Sequence, residues 1–208
     1  MANDLIDLGT ADLFTLNPNW ATIPKTTPQA LRRLIGFQGT ADTLQSLGNV
    51  PALTFDEFFT IYNKTDMKYF LDFINDHKGR WGRFWVRHPK TFFNLKSTAG
   101  IGSVIIYVER NEFDWIYQGY ERFYFQLANG DIITRQITSV VEDDLNDRIE
   151  LHFTGGLDRN IYTTTPHIMG RLLLVRFDND EFSLSIKNQL IAEVSIRVVE
   201  LIQEYGEV

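Results

Sequence analysis

Cysteine is absent from all 208 residues. That excludes disulfides, thiolate zinc sites and cysteine nucleophiles together. Small secreted domains are commonly stapled by disulfides, so the expectation is a reducing compartment or an unstapled assembly. Long apolar runs are missing too: no stretch approaches the ~20 residues of a membrane-spanning helix. The opening Met1-Ala2-Asn3-Asp4-Leu5 has neither a basic n-region nor an apolar h-region, so no signal peptide is expected. The glycosylation triplet Asn63-Lys64-Thr65 then carries little weight. Basic charge is also short, with 20 Lys and Arg against 27 Asp and Glu, a net charge of -7 and a pI near 5.1. Proteins that grip nucleic acid through a whole domain are usually basic, so no sequence-specific nucleic-acid partner is expected.

What is present is apolar and aromatic. Hydrophobic residues make up 44% of the chain, and 16 Phe join 8 Tyr and 4 Trp. That supplies a real core, argues against disorder and favours strands. Residues 1–50 are punctuated by Pro18, Pro24 and Pro28, with Pro51 following. Gly9 precedes them, and Gly36, Gly39 and Gly48 lie between Pro28 and Pro51. Proline removes a ladder donor, so short strands and an extended arm, Asn17–Pro28, are expected here.

From Ala52 to Tyr62 the pattern is strand-like, with Leu53, Phe55, Phe59 and Ile61 on one parity and Glu57 and Phe58 disturbing it. Thr65 or Asp66 offers a helix N-cap, and Met67, Phe70, Leu71 and Ile74 follow at helical spacing. His77, Lys78 and Gly79 suit the helix end. This is the one long helix expected. Downstream the pattern reads β: Val104, Ile106 and Val108; then Tyr120–Leu127 and Ile132–Val140 around Asn129-Gly130, a type I′ hairpin signal. Arg148–Phe153 ends at Gly155-Gly156. A second hairpin is expected between Arg171–Phe177 and Phe182–Ile186. Ile191–Leu201 closes the series, with Ala192, Val194, Ile196 and Val198 on one parity.

Chemistry-bearing patterns are few. His77, His88, His152 and His167 fall in no metal-ligand spacing. Glu142-Asp143-Asp144 and Asp178-Asn179-Asp180-Glu181 lack the twelve-residue calcium loop and read as turns. No G-x-S-x-G elbow or P-loop occurs. No catalytic residue, metal or cofactor is therefore expected. A hydrolase, with converging carboxylates such as Asp143 or Glu150, is the enzymatic alternative and has no motif behind it.

One segment is chemically distinctive. Lys78, Arg80, Arg83, Arg87 and Lys90 interleave with Trp81, Phe84 and Trp85 before and around His88 and Pro89. Such interleaving occurs where bases stack and phosphates are neutralised. It equally marks a strand whose aromatics enter a core or an interface, where Trp and Arg concentrate binding energy. The acidic balance of the chain favours the second reading.

At this segment the sequence resembles phage tail proteins. The pattern is Phe55 and Phe59, a helix with Phe70-Leu71 and Phe73, Gly79-Arg80, then Phe84-Trp85 ahead of Pro89. The ending is similar as well: Arg176-Phe177-Asp178 with Asp180, then Ala192-Glu193-Val194 through Val199-Glu200-Leu201 to Glu204-Tyr205. So is the opening, with Asn19-Trp20, a threonine-rich region and Arg32-Arg33. In size and layout the chain is most similar to distal tail proteins of long-tailed bacteriophages, the adaptor ring between tail tube and tip, or to related minor tail proteins. The resemblance implies a mainly β fold: an antiparallel β-sandwich-like ring domain with one α-helix (residues 1–88 plus 168–208) and an inserted OB-like β-barrel domain (89–167). It implies self-association into a ring, commonly a hexamer. Tail tube protein and hub or baseplate proteins would be neighbours, in a virion tail synthesised in the host cytoplasm, with no membrane partner. The interface residues expected on this reading are Trp20, Arg32, Arg33, Arg80, Trp81, Arg83, Phe84, Trp85 and Arg87. The alternative is a β-barrel binding module for carbohydrate or nucleic acid, which requires Trp115, Tyr117, Tyr120 and Tyr124 to form an exposed platform.

Overall fold

The computed structural model describes residues 4–5, 8–19, 26–29, 32–35, 43–46, 52–77, 81–110, 122–164, 167–180, 182–188 and 191–201. Along the chain the strands are β1 (Asp4–Leu5), β2 (Asp12–Leu13), β3 (Thr26–Gln29), β4 (Arg32–Ile35), β5 (Thr43–Ser46) and β6 (Ala52–Ile61). After the helix α1 (Lys64–His77) come β7 (Arg83–Phe92), β8 (Ile105–Glu109), β9 (Arg122–Leu127) and β10 (Ile132–Asp143). The last four are β11 (Arg148–Phe153), β12 (His167–Phe177), β13 (Ser183–Ile186) and β14 (Ala192–Glu200). The fold is mainly β, with mixed pairing: β1 runs parallel to β10, and the other registered ladders are antiparallel. No helix among the described residues is long and apolar enough to cross a membrane.

The chain divides into two compact units. One comprises Met1–Leu13, Trp85–Leu173 and Gln203–Val208; the other comprises Phe14–Phe84 and Leu174–Ile202.

The second unit is built on β14. Its strict alternation buries Ala192, Val194, Ile196 and Val198, as period-two patterning requires of a half-covered sheet. Strand β6 lies antiparallel beside it from Ala192↔Ile61 to Val199↔Thr54. On β6 the buried parity is Phe55, Glu57, Phe59 and Ile61, so Glu57 does not break the alternation but belongs to it, 2% exposed. Beyond the last registered pair the Leu53 amide donates to the Glu200 carboxylate at 3.0 Å. Phe14, Phe73, Phe84 and Phe177 form an aromatic chain on this unit, with centroids 4.8 Å (Phe14–Phe73), 5.1 Å (Phe73–Phe84) and 4.6 Å (Phe84–Phe177) apart.

Helix α1 contributes Phe70, Phe73 and His77 to the interior, while Leu71 faces out. The buried stripe thus runs one position away from the expected Leu71. His77 belongs to it because its ring stacks on Phe73 at 4.0 Å and its Nδ1 lies 2.8 Å from the Phe73 carbonyl oxygen. The cap is Asn63 rather than Thr65 or Asp66: Asn63 Oδ1 accepts from the Asp66 amide at 2.8 Å, and Asn63 Nδ2 donates to Asp66 Oδ2 at 2.8 Å. This reciprocal pair satisfies a first-turn donor. Asn63→Ala is expected to cost about 1 kcal/mol in urea unfolding. No loss there, with a loss of about 1 kcal/mol in Thr65→Ala instead, would restore the cap read from sequence.

The expected hairpin between β12 and β13 is not formed. Strand β13 instead pairs with β14, from Ser183↔Ser195 to Ile186↔Ala192, and β12 pairs with β14 further along, from Val175↔Glu200 to Phe177↔Val198. The two short ladders lie end to end on one edge of β14. Asp178 interrupts them and donates its amide to the Arg197 carbonyl at 2.8 Å. An Asp-Asn-Asp run can offset a strand as well as reverse it, and the long β14 edge captures both pieces.

In the first unit, β9 and β10 form the expected hairpin, with Gln126 opposite Ile132. Its turn is not type I′. The Gly130 amide bonds the Leu127 carbonyl at 2.9 Å, and only Gly130 has a positive φ (86°), Asn129 having none. That is a type I turn followed by a left-handed glycine. Asn129 instead uses its side chain, which accepts from the Asp131 amide at 3.1 Å. Strand β10 shifts register between Ile137 and Ser139, so its first half pairs with β9 and its second half with β11. Strand β8 pairs with β11 and is bordered on its far side by the single bridge Leu95↔Val108. The described strands therefore do not close into the expected barrel; the path ends at β8. Phe93, Phe123, Phe125, Ile133, Leu151 and Phe153 are buried in this unit's core.

Candidate functional site

The basic and aromatic segment splits between surface and interior. Trp81 is 89% exposed and Arg83 half-buried. Phe84, Trp85, Val86, Arg87 and His88 are all buried, so β7 is covered on both faces along residues 84–88 and shows no alternation to read there. The Trp85 indole N–H donates to the Leu8 carbonyl at 2.9 Å, and the Arg122 guanidinium lies 5.4 Å from its ring. Arg87 donates to Gln126 Oε1 at 2.7 Å, with its guanidinium 5.9 Å from the Tyr124 ring. Phe84, Trp85 and Arg87 thus work inside the fold, and among the segment's described side chains Trp81 is the one presented outward. Arg32 and Arg33 open β4, opposite Ser46 and Gln45 of β5. Trp20, Arg80, Trp115, Tyr117 and Tyr120 lie outside the described residues. Tyr124, the remaining platform candidate, is buried.

The expected arm does not project where it is described. The Asn19 amide bonds the Phe58 carbonyl at 2.6 Å, Asn19 Nδ2 donates to Thr60 at 3.2 Å, and β3 pairs with β6 from Thr26↔Phe55 to Gln29↔Ala52. Both described parts lie along the chain's own β6. Between residues 15–19, the end of β6 and the start of α1 runs an open groove of 790 Å³ lined by Leu16, Pro18, Phe59, Ile61, Tyr62 and Tyr69.

The acidic turn that offered a cation site is occupied by arginines. Arg110 pairs with Glu142 at 2.8 Å and also with Asp144. Arg148 pairs with Asp143 at 2.9 Å and Glu150 at 3.1 Å, while stacking 3.8 Å over Tyr107. Asp143 is held below the ordinary carboxylate range, first by the Asn146 side-chain amide and further by Arg148. A carboxylate held as Asp143 is makes a poor general acid, because a lowered pKa keeps it ionised. No group of His, Asp and Glu among the described residues is arranged to hold a metal.

Two sets of exposed apolar side chains had no distinguishing signal in the sequence. Leu145, at the β10–β11 turn, is 97% exposed. Leu184 and Ile186 are exposed on β13, although their parity is that of buried Val194 and Ala192 opposite them. Single exposed leucines are ordinary; only the register separates this pair from a core strand.

The chain matches no protein-family model and none of the curated protein sequences.

Proposed function

We propose that this chain is a structural subunit of a phage tail, one copy of an adaptor ring that joins the tail tube to the hub or baseplate. On this reading the ring, commonly a hexamer, is carried by a β-sandwich-like domain, the work is assembly rather than catalysis, and the location is the virion tail. The observation that carries the reading is Trp81. A tryptophan 89% exposed, two residues before Arg83 and within the segment that resembles tail proteins, is what an unassembled interface presents, because Trp and Arg concentrate binding energy once covered. Support also comes from the carboxylates: those at the acidic turn are tied up by Arg110 and Arg148, which leaves structural rather than reactive groups there.

The test is light scattering and negative-stain imaging of the purified chain beside Trp81→Ala. Closed rings are expected from the parent. The variant is expected to keep its circular dichroism and unfold within about 0.5 kcal/mol of the parent, as surface substitutions do, yet lose the rings. Rings that survive Trp81→Ala would move the interface elsewhere. A parent that stays monomeric at high concentration and gives no rings when mixed with tail tube protein would sink the reading.

A further inference from the structure

We propose that β13 is a self-pairing edge, through which two copies of this chain join their sheets antiparallel about a two-fold axis. The phase of the hydrogen bonding fixes which groups are on offer. The Arg197 carbonyl accepts from Asp178, so alternate residues of β14, including Ser195 and Glu193, aim their backbone groups toward β13. Their opposites, Ser183 and Ser185, face back. The amides and carbonyls of Leu184 and Ile186 therefore point away from β14, to an edge that no strand covers among the described residues. Their side chains lie on the same face as buried Val194 and Ala192, yet Leu184 is 39% and Ile186 70% exposed. The apolar face of the sheet runs past its cover.

The other end of this sheet is closed to the same chemistry. The Phe58 carbonyl accepts from Asn19, so Thr54 and its neighbours of that parity face β3, and Thr27 faces back at Thr54. Thr26 and Pro28 then point outward, and proline has no amide to give. Natural sheets blunt edges with proline or charge. Here β3 is blunted, while Ser183-Leu184-Ser185-Ile186 carries neither device. One open edge on this sheet cannot pair with the blunted one in an endless series, but it can pair with its own copy. An isologous contact sets like residues near one another, and an uncharged strand tolerates that.

Parity limits the register to outward-facing residues opposite one another, and the register that uses both Leu184 and Ile186 makes the most hydrogen bonds. In that register Leu184 meets the second copy's Ile186, and Ser185 meets the second copy's Ser185 across the axis. Each hydrogen-bonded pair exchanges both backbone bonds, and the Ser185 pair is the close type, with Cα atoms about 4.5 Å apart. That is within disulfide reach, whereas Ser183 and its copy would be roughly 14 Å apart by the rise per residue. A chain without cysteine makes the test clean. Full-length Ser185→Cys under oxidised glutathione should give a disulfide-linked species of twice the 24.1 kDa chain mass, and Ser183→Cys should not. Adding Ile186→Lys to Ser185→Cys should slow cross-linking by on the order of 100-fold, as expected when an apolar contact becomes a buried charge. All three positions are exposed, so circular dichroism should be unchanged. The proposal falls if Ser185→Cys stays uncross-linked, if both cysteines cross-link alike, or if Ile186→Lys has no effect. It does not rest on the tail reading: rings without the Ser185 cross-link would sink this contact alone, and the cross-link without rings would sink that reading alone.

Discussion

Trp85→Ala is expected to cost about 4 kcal/mol, within the range for deleting a fully buried large aromatic, and to lower the melting temperature more than any change elsewhere in β7. The indole is completely buried, so truncation removes its transfer free energy and leaves a cavity that neighbouring strands can only partly fill. It also removes the donor to the Leu8 carbonyl, which leaves that acceptor without its indole partner at a further cost of about 1 kcal/mol. Trp85→Phe should recover most of the packing but not the hydrogen bond, so it should fall between parent and alanine. Urea unfolding of both variants beside Trp81→Ala is the measurement. The two tryptophans are four residues apart and belong to one sequence pattern, yet one variant should be severely destabilised and the other nearly neutral. Equal, small losses would mean that Trp85 is not in the core.

That contrast explains where the sequence was readable. Strand β14 was legible because only one of its faces is covered, so Ala192, Val194, Ile196 and Val198 had to alternate with polar residues. The β9–β10 hairpin was legible through Gly130, although the turn type was not. Asn-Gly serves both a type I′ turn and a type I turn ending in a left-handed glycine, and local sequence does not choose between them. Strand β7 was opaque because both faces are covered. Arg87 was expected at an interface, whereas it is buried against Gln126. The partner of β13 was opaque for another reason: local sequence does not say which edge an offset strand will find, and β14 is long enough to hold two. Candidate surface residues were the hardest. Nothing local distinguishes exposed Leu184 and Ile186 from buried Val194 and Ala192; only the ladder does.

Arg135 carries the other large expected effect, and nothing in its strand pattern marked it. It lies on β10, fully buried, and its guanidinium forks to two backbone carbonyls: Nη1 donates to Thr134 at 2.7 Å, while Nη2 and Nε donate to Gly156 at 2.8 and 3.2 Å. The Gly155-Gly156 turn needs such a bolt because its backbone approaches another turn closely. A Cβ on Gly156 would come within 2.8 Å of the Gly102 carbonyl oxygen, so no side chain can stand there to hold the loop. Nearby, Asp158 is kept below the ordinary carboxylate range, first by its hydrogen bond from Arg159 and further by the charges of Arg159 and Arg135. Arg135→Met keeps the stem and removes the fork, which takes the guanidinium donors away from both carbonyls. The expected loss is about 2–4 kcal/mol, since hydrogen bonds from charged donors are the strong ones and buried acceptors are costly to abandon. Arg135→Lys supplies a charge without the planar fork and should lose about half as much. Urea unfolding of the pair decides the matter. A methionine variant as stable as the parent would mean that the bonds made by the guanidinium only offset its desolvation, as can happen for buried charges, and that Gly155-Gly156 is held by the close approach of its backbone alone.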